Sequence, residues 1–181
     1  MIIPDVNLLL YAVIDAFPQH QKARQWWEDT LNSDDLIGLA DPAIFGFLRI
    51  ATNPRLIKPP LSADEAARHV ETWLELPNVR WAQPGPGHHA RAFGYLRGVG
   101  TAGNLTTDAQ LAAIAAGHNA VMCSNDSDFA RFDDINWRNP LTALERSCHA
   151  DQVGYRPGTA VGRPGDHRVD GLYRSNTRLR G

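Results

Sequence analysis

Short apolar runs and longer stretches with helical periodicity alternate along the chain. Apolar runs occur at Ile2–Ile3, at 36–40 (LIGLA) and at 120–124 (AVMCS), and NVRWAQP at 78–84 is a weaker one. Runs of this length and composition predict short buried strands. Because strands alternate with helices in this order, the pattern predicts an α/β fold with a central parallel sheet covered by helices on both faces.

The intervening segments carry apolar residues at helical spacing. The most distinct helix is predicted within LSADEAARHVETWLEL at 61–76, where Ser62 and Glu65 have the spacing of a capping box. Asp41 before Pro42 predicts a helix N-cap, with the helix PAIFGFLRIA ending before Asn53-Pro54. Other helices are predicted after Asp5 (NLLLYAV), at 20–32, at 87–100 and at 106–119.

Composition places the chain among globular proteins and excludes several other classes. Of 181 residues, 43% are hydrophobic and 21% are charged, which is too apolar for a disordered protein. Cys123 and Cys148 lack CxxC spacing, so neither a disulfide framework nor a zinc site is expected, and two thiols fit a reducing cytoplasm. No run approaches the roughly 18 apolar residues of a membrane helix, and no basic flank marks a signal peptide. A cytosolic protein without a membrane partner is therefore expected.

Charge divides the chain into two parts. Residues 145–181 contain seven arginines and four acidic residues, a net charge of +3, whereas the whole chain carries −2 and residues 1–144 therefore carry −5. The C-terminal part is rich in glycine and proline and has almost no apolar periodicity. We predict one domain at 1–144 and a flexible basic tail at 145–181. The tail could contact RNA, or it could be an extension without a selected role.

Acidic residues follow the predicted strands. Asp5 comes directly after the first strand, Asp126 and Asp128 follow the strand AVMC, and Asp108 lies in NLTTDAQLAA. Ligands of parallel α/β sheets bind at the carboxyl ends of the strands, so Asp5 and Asp126 are expected at one edge. Carboxylates that crowd together repel one another, and Mg²⁺, which prefers oxygen ligands, would relieve that repulsion. Such a site could activate water for phosphodiester hydrolysis.

Structural roles remain open for each of these residues. Asp5 could be the N-cap of the helix that follows it, and Asp108 could lie in a first helical turn, favoured by the helix dipole. Asp126 and Asp128 could form an Asx turn. Thr107 could cap its helix or contact a phosphate, with capping preferred.

Two cations and the absence of other motifs complete the sequence-based picture. Arg49 and Arg55 could contact RNA phosphates, or they could be solvated or paired within the chain. The sequence contains no GxxxxGK[ST], GxGxxG, HExxH or GxSxG motif, so no other chemistry competes at comparable strength.

Four segments in register resemble one enzyme family. MIIPDVNLLLYA, FLRIATNPR, GNLTTDAQLAA and SNDSDFARF, spread over residues 1–141, look like the PIN-domain ribonucleases, specifically the VapC toxins of type II toxin–antitoxin modules. The resemblance implies a three-layer α/β/α fold and an endoribonuclease that depends on Mg²⁺, with Mn²⁺ as a substitute. It also implies structured RNA such as tRNA or rRNA as the substrate, a homodimer, and inhibition by a VapB-type antitoxin.

The resemblance also assigns site residues. Asp5 matches the first acid of the family, Asp108 the third and Asp126 the fourth, with Asp128 close behind, and Asn7 matches the residue that supports the first acid. The second acid, a glutamate, is replaced by Gly46. Either the site works with aspartates alone, or Asp41 takes the missing place, or catalysis is weakened. The first is preferred, because Asp41 already has a role as a helix cap.

Two other functions remain open at this point. Asp5-Val6-Asn7 after a strand also resembles the start of haloacid dehalogenase-type phosphatases, although their sites need a lysine and only Lys22 and Lys58 are present, both predicted away from the cleft. A degenerate PIN module that only binds RNA or antitoxin is the second alternative, and Gly46 is the feature in its favour.

Overall fold

The computed structural model describes residues 1–142, which form one parallel sheet flanked by helices. In chain order the elements are β1 (Ile2–Pro4), α1 (Val6–Val13), α2 (His20–Leu31), β2 (Ile37–Ala40), α3 (Asp41–Ala51), α4 (Ala63–Leu74), β3 (Val79–Ala82), α5 (His88–Val99), α6 (Leu105–Gly117), β4 (Val121–Cys123), a short 3-10 helix (Ser127–Arg131) and β5 (Asn136–Arg138). The predicted tail at 145–181 lies outside the described residues.

The strand order places the chain's first strand at the centre of the sheet. The order is β3-β2-β1-β4-β5, and every neighbouring pair is parallel. The chain thus winds outward from β1 through β2 to β3 and then returns to the other side of β1 with β4 and β5. Such a reversal opens a crevice at the carboxyl ends of the two strands that flank it, here β1 and β4.

Aromatic side chains fill the space between helices α2, α3 and α4. Trp27 packs edge-to-face on Trp73 with ring centroids 5.4 Å apart, and Phe47 lies 5.6 Å from Trp73. All three are fully buried. Edge-to-face pairs of this kind are favoured by the ring quadrupoles in addition to the burial of apolar area.

Helix α6 has apolar side chains on every side, as expected for a helix enclosed by the protein. Its buried residues are Leu105, Ala109, Leu111, Ala112, Ala113, Ile114 and Ala115. It packs along α5 and touches α3 and β4. Its first turn, which carries Asp108, is thereby held at the carboxyl edge of the sheet.

The sequence-based elements are largely confirmed, including the Ser62–Glu65 capping box at the start of α4. Two cap assignments are wrong. Asp41 is the first residue of α3 rather than its cap, and its carboxylate accepts a hydrogen bond from the Trp81 indole N–H. Thr107 is also no cap, because α6 begins two residues earlier at Leu105.

Two elements were not predicted from the sequence. The segment after Asp126 forms a 3-10 turn rather than an irregular loop, and β5 adds an edge strand beside β4. β5 carries only one half-buried residue, Trp137, between exposed Asn136 and Arg138, so it lacks the apolar run that marks a strand. In the part of the chain that the structure describes, no helix is long and apolar enough to cross a membrane.

Candidate metal and nucleic-acid site

Asp5 is a buried carboxylate at the carboxyl end of the central strand. Its exposed fraction is 3%, and its backbone N–H donates to the Cys123 carbonyl, which continues the pairing of β1 with β4. Asp5 is also the N-cap of α1, since its Oδ1 accepts a 2.6 Å hydrogen bond from the Val6 N–H. The structural and the functional role considered for Asp5 are therefore compatible in one side chain.

Two side chains hold the other carboxylate oxygen of Asp5. The Ser124 hydroxyl donates to Asp5 Oδ2 at 2.7 Å, and Asn7 Nδ2 donates to the same oxygen at 2.7 Å. Asn7 Nδ2 is also 3.0 Å from Ser124 Oγ. Burial, the dominant effect, raises the pKa of Asp5 to about 6, although the bonds from Ser124 and Val6 act in the opposite direction. Asn7 is thus bonded directly to the carboxylate of Asp5.

The loop after β4 brings Asp126 to the same place. Its backbone N–H donates to Ser124 Oγ at 2.9 Å, so the Asp5 carboxylate and the Asp126 backbone contact one hydroxyl. Asp126 Oδ1 accepts from the Asp128 N–H at 2.9 Å and so forms an Asx turn that starts the 3-10 helix. The Asp128 carboxylate lies 3.3 Å from Arg131 Nη1, with both side chains nearly half exposed.

Asp108 comes from the first turn of α6 and completes the set. Its pKa is raised to about 7, first by burial and then by the negative charges of Asp5, Asp126 and Asp128. Asp5, Asp126 and Asp128 thus lie near enough to Asp108 for their charges to act on it, although the four residues are up to 123 positions apart in the chain. No hydrogen bond to the Asp108 carboxylate is recorded among residues 1–142.

The donor set suits a hard cation that keeps much of its own water. All four groups are carboxylates, and their crowding leaves negative charge uncompensated. Among residues 1–142, however, no three Asp, Glu, His or Cys side chains are arranged to hold one ion unaided. Mg²⁺ commonly binds through one or two carboxylates with waters and substrate phosphate completing its shell, so the arrangement fits such an ion better than a dedicated protein cage.

At the position of the missing glutamate, Gly46 lies in close contact with helix α1. A Cβ on Gly46 would lie 3.0 Å from Val6 Cγ2 and 3.5 Å from Val6 Cβ, because α3 packs directly on α1 there. Asp41 does not take the vacant role, since its carboxylate is bonded to Trp81 on the far side of β2 from Asp5. Among residues 1–142, the candidate site thus comprises the four aspartates, without a contribution from Gly46 or Asp41.

The two arginines considered for RNA binding lie elsewhere. Arg49 lines a shallow, mostly apolar groove between α3 and α4, together with Phe45, Leu48, Thr52, Ala63 and Ala67. Arg55 is exposed in the loop after α3. Within the described chain, no hydrogen bond or ion pair joins either arginine to the four aspartates, and Thr107 has none to them either.

Several residues of the site were missed from the sequence. Ser124 is fully buried and holds Asp5, Asn7 and Asp126 through one hydroxyl. Asn125 donates its backbone N–H to Asn7 Oδ1 at 3.3 Å and accepts from Asn139 Nδ2 at 3.1 Å. Polar residues directly after a buried strand were the available signal for Ser124 and Asn125. Asn139 follows β5, which itself was not predicted.

Tyr11 also belongs to the surroundings of the site. It lies one helical turn after Asn7, and its hydroxyl faces the Asn125 side chain, which acts to lower the Tyr11 pKa. Burial, followed by the charge of Asp5, raises the pKa of Tyr11, so the phenol stays neutral at physiological pH. A tyrosine inside an apolar helix is typical of a packing residue, so no functional role was predicted for Tyr11 from the sequence.

The comparison with known proteins points to a single family. The PIN-domain model matches residues 2–135. Ribonuclease VapC33 of Mycobacterium tuberculosis is 53% identical over 141 residues, which cover 78% of this chain and 99% of that protein. Ribonuclease VapC37 of the same organism is 37% identical over 144 residues, or 80% of this chain and 100% of that protein.

Solved structures agree on the fold. The VapBC2 complex of Rickettsia felis, bound to a DNA fragment from its promoter, gives a TM-score of 0.56 at 15% identity and covers 77% of this chain and 98% of that chain. VapC20 of M. tuberculosis, a toxin that cleaves the sarcin–ricin loop, gives 0.54 at 13% identity, with 75% and 99% covered. At this level of identity the match concerns the fold alone.

Proposed function

For this chain, which belongs to the PIN-domain family as a VapC-type ribonuclease, we propose a metal-dependent endoribonuclease toxin that cleaves structured RNA. One observation carries the proposal. The buried carboxylate of Asp5 lies at the strand reversal between β1 and β4, within electrostatic reach of Asp108 and Asp126, and Asp128 in turn acts on Asp108. That concentration of negative charge is costly for folding unless a cation uses it.

Asp5, Asp108 and Asp126 would hold the cation, in part through its water ligands, and Asp128 would contribute as a fourth carboxylate nearby. VapC ribonucleases are generally dependent on a divalent metal, and Mg²⁺, or Mn²⁺ in its place, fits this set of oxygen donors. When bound, the ion lowers the pKa of a coordinated water and stabilises charge on phosphate oxygens during in-line displacement.

The chain's own groups keep the carboxylates in place. Ser124 and Asn7 fix one oxygen of Asp5 by two short hydrogen bonds, and the Val6 N–H fixes the other. The Ser124 hydroxyl also anchors the loop that carries Asp126. Because these supports lie in the first turn of α1 and directly after β4, we infer that the pairing of β1 with β4 sets the distance between the first and fourth acids.

The partners follow from the relatives and remain proposals. We propose tRNA or rRNA as the substrate, in line with the sarcin–ricin loop that VapC20 cleaves. A VapB-type antitoxin is proposed as the inhibitor, because the similar solved structures include VapBC complexes. A homodimer in the cytoplasm is the proposed working form. The family membership leaves the haloacid dehalogenase-type alternative without support.

The test compares two aspartates of the acid cluster, Asp5 and Asp108, with Asp41, which lies outside it. Asp5→Asn and Asp108→Asn should reduce cleavage of a labelled tRNA pool and a sarcin–ricin hairpin to background in Mg²⁺. Asp41→Asn should cleave like the wild type, because Asp41 follows β2 but bonds to Trp81 instead of the acid cluster. Circular dichroism and thermal unfolding confirm that each variant is folded. Full cleavage by folded Asp5→Asn and Asp108→Asn proteins would end the proposal.

Gly46 favours a second candidate function, that of a PIN module that binds RNA or antitoxin without cleaving RNA. The wild-type protein decides between the two. At catalytic concentration it should convert many equivalents of RNA with Mg²⁺ or Mn²⁺ and none with EDTA. Tight RNA binding with no turnover in either metal would favour the binding module.

A further inference from the structure

A chain of neutral polar side chains borders the four aspartates. Asn139 Nδ2 donates to Asn125 Oδ1 at 3.1 Å. The Asn125 side chain also faces the Tyr11 hydroxyl and acts to lower the pKa of the phenol, which is the effect of an amide N–H directed at the phenol oxygen. The three residues come from α1, from the loop after β4 and from the end of β5.

Register explains why these residues meet at the acid cluster. β1 pairs with β4 through Pro4 and Cys123, and β4 pairs with β5 through Cys123 and Arg138. One residue further along, Asp5, Ser124 and Asn139 stand side by side at the carboxyl edge. Asn139 is therefore about two strand spacings, roughly 10 Å, from Asp5 along that edge.

Two of these side chains, Tyr11 and Asn139, retain hydrogen-bond donors that could bind a ligand. The Tyr11 oxygen faces Asn125, and among residues 1–142 no acceptor is recorded for its hydroxyl hydrogen. Asn139 uses one amide hydrogen on Asn125 and its Oδ1 on the Leu141 N–H, which leaves its second amide hydrogen available. Tyr11, Asn125 and Asn139 are all half-buried, so solvent or a ligand can reach them.

Neutral donors suit this location better than cations. A lysine or arginine beside four carboxylates would pair with them, as Arg131 does with Asp128, and would compete with the metal. A phenol or an amide can donate to RNA oxygens without neutralising the acids. Backbone contacts of RNA-binding proteins are commonly supplied by such side chains as well as by arginine and lysine.

We propose that the Tyr11 hydroxyl, together with the side-chain amides of Asn125 and Asn139, binds the RNA backbone next to the phosphate that is cleaved. This inference rests on the proposed ribonuclease function. It assigns Tyr11 to substrate binding, with its ring held by an edge-to-face contact to Phe17 at 4.9 Å.

The test removes one oxygen atom from the full-length protein. Tyr11→Phe keeps the ring and its contact with Phe17 but lacks the hydroxyl. RNA binding is measured by fluorescence anisotropy with a labelled sarcin–ricin hairpin and a labelled tRNA pool in EDTA, where the proposed hydrolysis stops. We expect about tenfold weaker binding, the effect of losing one hydrogen bond to a charged group.

Tyr95→Phe is the matched control. Tyr95 lies on α5, outside the acid cluster, and its hydroxyl is 3.4 Å from Asp134 Oδ1. Removing this hydroxyl should leave RNA affinity unchanged. In Mg²⁺, Tyr11→Phe should raise KM for the cleaved RNA more than it lowers kcat. Its affinity for Mn²⁺, titrated without RNA by calorimetry, should equal that of the wild type.

The outcomes separate this inference from the function on which it rests. If wild type cleaves RNA and Tyr11→Phe matches it in affinity and KM, the hydroxyl does not contact RNA and the inference is overturned. Weaker Mn²⁺ binding with normal RNA binding would assign Tyr11 to placement of the carboxylates, and would also overturn it. A wild-type protein that binds and cleaves neither RNA refutes the proposed ribonuclease function itself, and the inference with it.

Discussion

Val6 lies so close to Gly46 that any side chain at position 46 would press on it, with a Cβ only 3.0 Å from Val6 Cγ2. The contact joins α1, which starts at Asp5, to α3, which carries the position of the family glutamate. Gly46, which allows the two helices to pack closely, is thus also the residue that stands in place of the glutamate.

Gly46→Ala should destabilise the protein by roughly 1 to 2 kcal/mol, because overpacking outweighs the gain in helix propensity. Gly94→Ala is the control, since Gly94 is also inside a helix but a Cβ there meets nothing within 4 Å. That change should stabilise by about 0.5 to 1 kcal/mol. Urea unfolding measures both, and a stabilised Gly46→Ala protein would show that α1 and α3 yield easily.

Stability of the metal-free protein should fall as pH rises from about 4 to about 7. The pKa values of Asp5 and Asp108 are raised to about 6 and about 7, so the folded state binds more protons than the unfolded state in this window. Their destabilising effect is absent below the unfolded pKa and complete above pH 7. Thermal unfolding in EDTA from pH 4.5 to 8 measures it.

Asp108→Asn should flatten this pH dependence and raise Tm at pH 8 while leaving Tm near pH 4.5 unchanged. Asp34→Asn, on the exposed loop before β2, serves as the control and should keep the wild-type slope. Added Mg²⁺ should stabilise the wild type more at pH 8 than at pH 5.5, because the ion binds deprotonated carboxylates. An Asp108→Asn protein with an unchanged slope would contradict the crowding of charge at α6.

Ser124→Ala should cost about 1 to 3 kcal/mol of stability, because it leaves buried polar partners without their shared hydroxyl. The hydrogen bond from Ser124 lowers the pKa of Asp5, so its loss should raise that pKa further and weaken Mn²⁺ binding at pH 7. Ser33→Ala removes a hydroxyl bonded to the Thr30 carbonyl, away from the acids, and should not affect the metal. Calorimetric titration with Mn²⁺ distinguishes the two serines.

Asp126 and Asp128 should differ in their effect on cleavage. Asp128 is partly compensated by Arg131, so Asp128→Asn should reduce the cleavage rate about 10- to 100-fold, as for a residue that supports a metal ligand. Asp126→Asn should reduce it to background. Initial rates on one RNA decide this, and equal losses would place both side chains on the ion.

Much of the fold was predictable because periodicity and turn chemistry act locally. The apolar runs at Ile2–Ile3 and AVMC marked two of the strands, and the Ser62–Glu65 box marked the start of α4. β5 was not predicted, because an edge strand paired on one side needs little apolar surface and two of its three residues are exposed. Asp41 was misassigned because its partner, Trp81, is forty residues away in the chain.

The acids of the site were predictable for a related reason. In a parallel sheet, position at a strand's carboxyl end is a property of sequence order, so Asp5 and Asp126 could be placed without coordinates. For Ser124 and Asn125 the only signal was their place after a strand, and their contacts, like those of Asn139 and Tyr11, depend on which strands are neighbours. The pairing of β4 with both β1 and β5 fixes those contacts.

The central place of β1 has a consequence for synthesis of the protein. β1 cannot complete its pairing until residues 121–123 have been translated, and the acid cluster cannot assemble before Asp126. A truncated product that stops short of α6 would lack Asp108, Asp126 and Asp128. The proposed nuclease therefore cannot have its full set of acids until most of the described residues have been made.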